Sequence, residues 1–255
     1  MTVEVGRDGA IGIITLNDPD RRNALDAAKA QKIAEAVRGF AGSPDVAGAP
    51  AGEAGQPVRA ILLRAQGPAF CAGADLAGGV YATEFFESIT QMLQAITNSP
   101  LPVIADVQGP AVGAGCQLLL ACDLRVFGEK AAIWVPAAEH GFALDAWTHE
   151  RLKEMLGGAV ARNVMIGAAK VGSEQAVALG FAVKIGDDAT ALDYAHSMAA
   201  LSPLSMEHSK RVLNSPDPSQ DESLEKLFYA AWASEDVKEA RAARKERRAP
   251  KFTGR

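Results

Sequence analysis

Two short stretches carry residues spaced for chemistry on an oxygen atom. In Gly109-Pro-Ala-Val-Gly-Ala-Gly-Cys-Gln117 and in Gln66-Gly-Pro-Ala-Phe-Cys-Ala-Gly-Ala-Asp75, a run of small side chains follows a hydrophobic strand. Small residues let a ligand approach the backbone, and N–H groups in the first turn of a helix lack internal partners and lie at the positive end of its dipole. Two such loops, at the C-terminal ends of two strands, can each aim one N–H at a single anion or polarised carbonyl oxygen, which is the arrangement of an oxyanion hole. The same pattern also describes two plain strand-to-helix turns, and spacing leaves both readings open.

The remaining reactive side chains are sparse. Cys71, Cys116 and Cys122 sit in or beside these stretches, are odd in number and lack metal-ligand spacing, so they read as buried free thiols. No histidine lies between residues 1 and 139 to activate one of them, and no metal site is expected. Asp145, in Gly141-Phe-Ala-Leu-Asp-Ala-Trp147, reads from its position as the N-cap of a following helix. Glu139, taken as extended backbone, reads as a surface residue, as do His140 and His149.

The elements that must position these groups can be read from pattern. Thr2 to Gly6 and Ile11 to Leu16 suggest a hairpin, Asp26 an N-cap for a helix to about Arg38, and Ala60 to Arg64 a buried strand. Residues 41 to 57, rich in Ala, Gly and Pro without periodicity, suggest a long surface loop with no assigned function. A glycine hinge after Asp75 leads to a helix through about Asn98, with Phe85, Ile89, Met92, Leu93 and Ile96 on one face. Pro102 to Val107 is a strand and Cys116 to Cys122 a helix; strands follow at Leu124 to Phe127 and Ala131 to Trp134. Beyond these lie helices Ala146 to Leu156, Ala159 to Ile166 and Ser173 to Leu179, a strand Ala182 to Ile185, and helices from about Ala189, with Ser234 as a further cap.

At 255 residues, 48% hydrophobic and 22% charged, the chain can bury a sizeable core. Its formal charge of -5 argues against a general nucleic-acid binder. No apolar run approaches the roughly 18 residues of a membrane span, and no signal peptide is visible, so a cytoplasmic location is expected.

Phe70-Cys-Ala-Gly-Ala-Asp-Leu76 and Gly109 to Gln117, with Arg21-Arg-Asn-Ala-Leu25 upstream and Cys122-Asp-Leu-Arg125 downstream, closely resemble the crotonase (enoyl-CoA hydratase/isomerase) superfamily over nearly the whole chain. The resemblance implies an α/β fold, a ClpP-like spiral core of repeated strand-strand-helix units over residues 1–195, followed by a C-terminal helical oligomerisation region over 196–255. It implies an acyl-CoA or enoyl-CoA ligand, no separate cofactor or metal, and a homotrimer or dimer of trimers. Carried over residue by residue, it puts the two oxyanion donors at the backbone N–H of Ala74 and Ala114. Coenzyme A contacts fall on Arg22, Ala24, Leu25, Ala72, Ala74, Asp75 and Leu76, with Lys251 and Phe252 closing over a coenzyme A, and Val80, Tyr81 and Phe85 walling the acyl chain. Arg21 reads as solvated surface.

Hydratases of this family use two glutamates to add water, and the matching positions here hold Gln117 and Ala137. An amide can hold a water or contact a ligand but is not a base near neutral pH, and losing a positioned acid–base group costs typically 10²–10⁴-fold. The dehalogenase branch places a nucleophilic aspartate where Asp145 stands, but its accompanying histidine and tryptophan are missing. The chain is most similar to actinobacterial hydratase-like paralogues that lack the glutamate pair, a branch linked to handling fatty acyl-CoA for lipid synthesis. The expected function is an acyl-CoA-binding family member that keeps the thioester grip without the hydratase carboxylates. The alternative is an active hydratase or isomerase of fatty acid metabolism using Asp145, with Gln117 holding water.

Overall fold

The computed structural model describes residues 2–42, 57–75 and 83–255. In chain order its elements are β1 (Val3–Asp8), β2 (Ile11–Leu16), α1 (Ala27–Gly42), β3 (Ala60–Ala65), α2 (Thr83–Thr97), β4 (Val103–Val107), β5 (Ala111–Val112), α3 (Ala114–Ala121), β6 (Leu124–Phe127) and β7 (Ala132–Trp134). There follow α4 (Ala137–His140), α5 (Ala146–Leu156), α6 (Gly158–Met165), β8 (Val171–Gly172), α7 (Ser173–Ala178), β9 (Lys184–Ile185), α8 (Asp188–Ala199), α9 (Pro203–Asn214), α10 (Glu222–Ala233) and α11 (Glu235–Glu246).

Strands β1, β2, β3, β4, β6 and β9 form one sheet in that order, antiparallel only between β1 and β2. Because side chains alternate across a sheet, a continuous apolar run needs cover on both faces. Ile14, Leu16, Ile61, Leu63, Val103 and Ala105 face the main core with α1, α2 and α3, while Ile11, Ile13, Ala60, Leu62 and Ile104 face α8 through Ala191, Ala195 and Ala199. The division expected at residues 195/196 falls inside α8, which runs on to Ala199.

A second, shorter sheet of β5, β7 and β8 is extended by isolated parallel bridges from Cys71 to Ala111 and from Leu25 to Ala74. The strand-strand-helix unit therefore recurs: β4, β5 and α3 make one turn, β6, β7 and α4 the next. Each turn delivers its second, short strand to the layer that carries both small-residue loops.

A buried cation ties two turns together. Arg125, 5% exposed, donates to the carbonyls of Leu119, Cys122 and Phe181 and stacks 4.3 Å from the Phe181 ring, so it satisfies carbonyls at the end of α3. Burial lowers its pKa only to about 10, so the guanidinium stays charged at neutral pH. Asp123 accepts from the Val103 amide and pairs with Lys210 of α9 at 2.7 Å, which docks the helical region onto the core.

Several boundaries moved for physical reasons. α1 continues past Arg38 to Gly42, so the first two residues of the expected 41–57 loop are helical; residues 43–56 lie outside the described part. α3 begins at Ala114 rather than Cys116, because Gly113, at φ 51°, makes the turn that starts it. Residues 137–140 form a helical turn, not extended backbone, so Glu139 and Ala137 do not share a strand face; Glu139 is exposed. Ser234 stands at the N-cap of α11, but its hydroxyl donates backwards to the Ala231 carbonyl and caps nothing.

Candidate functional site

The loop after β3 runs as an extended ribbon between two neighbours. On one side Ala72 N–H donates to Arg22 O, Leu25 N–H to Gly73 O and Asp75 N–H to Leu25 O; on the other Cys71 donates to Pro110 and accepts from Val112. In such a parallel pairing Leu25 bonds to the residues flanking Ala74, so the N–H of Ala74 itself points to the opposite side. That side is occupied by the start of α3.

Contact between the two loops demands glycine. A Cβ on Gly115 would lie 2.5 Å from the Cys71 carbonyl oxygen, a contact no side chain tolerates. Gly73, at φ 106°, is so close to the second loop that a Cβ there would sit 3.1 Å from Val112 O and 3.9 Å from Ala114 N. Standard backbone dimensions then put the amides of Ala74 and Ala114 no more than about 7.5 Å apart. One oxygen at about 2.9 Å from each of two amides spans separations up to about 5.8 Å, which lies inside this bound. Ala114 is the first residue of α3, and among the described residues neither amide donates to a protein acceptor. Both amides are thus left without a protein acceptor where the two loops meet, and that of Ala114 has the dipole of α3 behind it.

The Arg21–Leu25 turn is built from within. Asn23, 1% exposed and at φ 57°, donates to the Gln66 and Ala69 carbonyls and accepts from the Asp18 amide. Lys29 is buried, with its ammonium 2.5 Å from Asp18 and 2.7 Å from the Ala24 carbonyl, and this pairing holds the Asp18 carboxyl below its usual range. Sequence reasoning passed over both; the signal was an asparagine inside an Arg-Arg-Asn turn, where a left-handed conformation favours that residue. Arg22 is exposed and left-handed at φ 51°, Leu25 is fully buried, and Arg21 is not simply solvated, since it pairs with Asp75 at 2.9 Å.

Gln117 lies three residues beyond Ala114, on the same face of α3, and is 5% exposed. Its Nε2 donates to the hydroxyl of Thr148 at 2.7 Å, and that hydroxyl donates to Asp145 Oδ1 at 2.6 Å. Asp145 is the N-cap of α5, accepting also from the Thr148 amide at 2.8 Å. Of its three sequence readings the cap is the one its bonds display. Thr148, fully buried, went unnoticed in the sequence, although an Asp three residues before a Thr at a helix start marks a cap. Ala137 is buried and carries no functional group.

Other candidates fall elsewhere. His149 bonds to the Asp145 carbonyl and His140 stacks on Phe142, and both rings are exposed. Burial pushes all three cysteine thiols up to about 12, which leaves them protonated and unreactive. Phe85 is in the core, edge-on to Phe86. Leu76, Val80 and Tyr81 lie outside the described residues. The Lys251 amide bonds to Glu239 and the following residues to Asp236, so Lys251 and Phe252 lie along their own α11. No described bond brings them to the 22–25 turn. Among the described residues no cluster could hold a metal, and no helix is long and apolar enough to cross a membrane.

Comparison with known proteins bears on this site. A family model described as enoyl-CoA hydratase/isomerase matches residues 6–255. The Mycobacterium tuberculosis protein described as "Probable enoyl-CoA hydratase echA6" is 39% identical over 247 residues, 96% of each chain. The Mycosarcoma maydis enoyl-CoA isomerase/hydratase fer4 is 27% identical over 259 residues, 94% of this chain and 92% of that one. Among solved structures, an enoyl-CoA hydratase subunit from Geobacillus kaustophilus superposes with a TM-score of 0.84 at 28% identity, covering 100% of this chain and 99% of that one. A family protein from Hyphomonas neptunium gives 0.85 at 30% identity, covering 100% and 98%.

Proposed function

Since this chain belongs to the enoyl-CoA hydratase/isomerase family, we propose that it binds a fatty acyl-CoA, gripping the thioester carbonyl between the amides of Ala74 and Ala114. In this reading it does not hydrate the ligand efficiently and serves long-chain lipid metabolism by holding acyl-CoA. The observation that carries the proposal is the pairing of two neighbouring amides without protein acceptors with the loss of both hydratase carboxylates: Gln117 is an amide, Ala137 is a methyl group, and one oxygen of the Asp145 carboxylate is taken up in capping α5 through Thr148. Donors aimed at a developing oxyanion are worth roughly 2.7–4 kcal/mol each in measured cases. Polarisation alone adds no water, which needs a base to take one proton and an acid to supply another.

Arg22, Ala24, Leu25, Ala72, Asp75 and Leu76 would line the nucleotide end of coenzyme A. The exposed Arg22 guanidinium suits phosphate. Association into a trimer or a dimer of trimers through the helical region, a contact from Lys251 and Phe252 to a neighbour's coenzyme A, and a cytoplasmic location complete the proposal. The exposed aromatics Phe228, Tyr229 and Trp232 on α10 agree with such an association.

The rival reading, Asp145 as acid or base, draws on one observation: its carboxylate reaches Gln117 through the Thr148 hydroxyl. Titration calorimetry with palmitoyl-CoA, alongside a hydration assay on crotonyl-CoA and a longer enoyl-CoA, separates the two. Binding without turnover supports the proposal. Turnover at ordinary hydratase rates that disappears in Asp145→Ala overturns it in favour of the rival, and failure to bind any acyl-CoA overturns both.

A further inference from the structure

Both small-residue loops hang on one turn, Gln108-Gly109-Pro110. A Cβ on Gly109 would lie 2.4 Å from the Pro68 carbonyl oxygen, and the Pro110 carbonyl accepts from the Cys71 amide. The turn is thus wedged against the loop that leads to Ala74, while its own chain runs on through β5 to Ala114. Gln108 anchors this turn from behind. Its Nε2 has two hydrogens, and they go to Asp106 Oδ1 at 2.6 Å and to the Gly186 carbonyl at 3.1 Å, in the turn between β9 and α8. A shift of that side chain moves the turn on which the spacing of the Ala74 and Ala114 amides depends.

The partner of Gln108 is a carboxylate in a place that resists charge. Asp106 is buried on the α8 face of the sheet, away from the two loops. Around it stand Arg64 of β3, which also bonds to Thr15 of β2, and Asp187 and Asp188 at the start of α8. Lys184 of β9, in register with it across Val126, is turned over the Tyr194 ring instead. Burial, with the carboxylates of Asp188 and Asp187 adding to it, pushes the Asp106 pKa up to about 6 against the pull of Gln108 and Arg64. Perturbed groups of this kind gather at functional sites, and a charge retained at a cost to stability points to a use for it. What the charge changes here is the bond to Gln108, because a hydrogen bond to an ionised acceptor is roughly twice as strong as a neutral one.

We propose that Asp106 and Gln108 are positioning residues for the acyl thioester, and that ionised Asp106, by gripping the Gln108 amide, holds the two loop amides at the spacing a bound carbonyl oxygen needs. The inference rests on the acyl-CoA reading of the site and adds a pH dependence set from the far face of the sheet. Below about pH 6 Asp106 is neutral and the anchor is weak; as pH rises through that value the proton leaves and affinity rises. Binding and fold stability therefore respond to this one proton in opposite senses.

The test is titration calorimetry of dodecanoyl-CoA with the native protein and with Asp106→Asn from pH 5 to 8, read as the ratio of the two affinities at each pH, so that titration of the ligand's own phosphates cancels. The variant gives Gln108 a neutral acceptor in place of a charged one. The ratio is expected to be near one at pH 5 and to rise in a single step near pH 6 to about fivefold in favour of the native protein at pH 7.5, part of the gap between a neutral and a charge-assisted bond. Because the variant should be the more stable protein at pH 7.5, damage to the fold cannot produce that loss. Gln108→Met, which keeps the length of the side chain and removes both donors, must bind weakly and without the step; should it not fold, the Asp106→Asn ratio decides alone. A ratio that stays flat or favours the variant, or a step that persists in Gln108→Met, overturns this inference and leaves acyl-CoA binding standing. Absence of binding by the native protein at every pH overturns both.

Discussion

Replacing Asp106 by asparagine should stabilise the protein at neutral pH. Asp106 lies on β4 two residues from Ile104, hence on the sheet face that α8 covers, and is 2% exposed. Its Oδ1 accepts from Gln108 at 2.6 Å, but burial, aided by the nearby carboxylates of Asp187 and Asp188 and opposed by Gln108 and Arg64, pushes its pKa from 3.8 up to about 6. Below the unfolded value near 4 the group is neutral in both states and costs nothing. Between about 4 and 6 the unfolded chain releases the proton while the native one keeps it, so stability falls as pH rises, and above about 6 the loss is complete. Two units at 1.36 kcal/mol each give roughly 3 kcal/mol as an upper figure. Asparagine keeps the acceptor for Gln108 and removes the charge. Urea unfolding of both proteins at pH 4, 5, 6 and 7.5 should show curves that nearly coincide at pH 4 and separate by about 1–3 kcal/mol at pH 7.5, Asp106→Asn being the more stable. A difference that is constant with pH, or a variant weaker at pH 7.5, refutes the reasoning.

Asn23→Ala removes three hydrogen bonds and places alanine in a left-handed conformation, so it should cost about 3 kcal/mol in urea unfolding and weaken acyl-CoA binding. Gly115→Ala forces a methyl onto the Cys71 carbonyl and should abolish acyl-CoA binding and lower stability by about 2 kcal/mol or more; native-like binding by this variant would show that the loops are not held as described. The three thiols should resist a disulfide reagent at pH 8 in the native protein and react fully in denaturant. Gln117→Glu returns a carboxylate to the site; hydration of crotonyl-CoA should stay far below ordinary hydratase rates, because Ala137 still supplies no partner.

Long, two-sided apolar strands such as Ile11–Leu16 and Ala60–Ala65 were legible from composition and length, because burial on both faces leaves no other use for them. The small-residue loops were legible as loops, and the glycines at 73 and 115 explain why nothing larger could stand there. What the sequence hid were contacts between distant residues. Nothing local says that Asn23 reaches Ala69, that Lys29 is buried against Asp18, or that Gln117 meets Thr148 across 31 positions. Asp145 illustrates the limit best. Its residue type allowed cap, base and nucleophile alike, and only the placement of the Thr148 amide and hydroxyl distinguished them. Glu139 lies at the surface as expected, but on a four-residue helical turn whose pattern is too short to read, and Ser234 stands at the expected cap position without capping, because residue type does not fix where its hydroxyl turns.

The central claim is that two backbone amides polarise the carbonyl of a bound acyl thioester. Infrared difference spectroscopy on acyl-CoA carrying carbon-13 at the thioester carbonyl measures this directly. The account predicts a carbonyl stretch at lower frequency in the complex than in water, unchanged when Asp145 is replaced by asparagine. A bound carbonyl that absorbs at or above its frequency in water would contradict it.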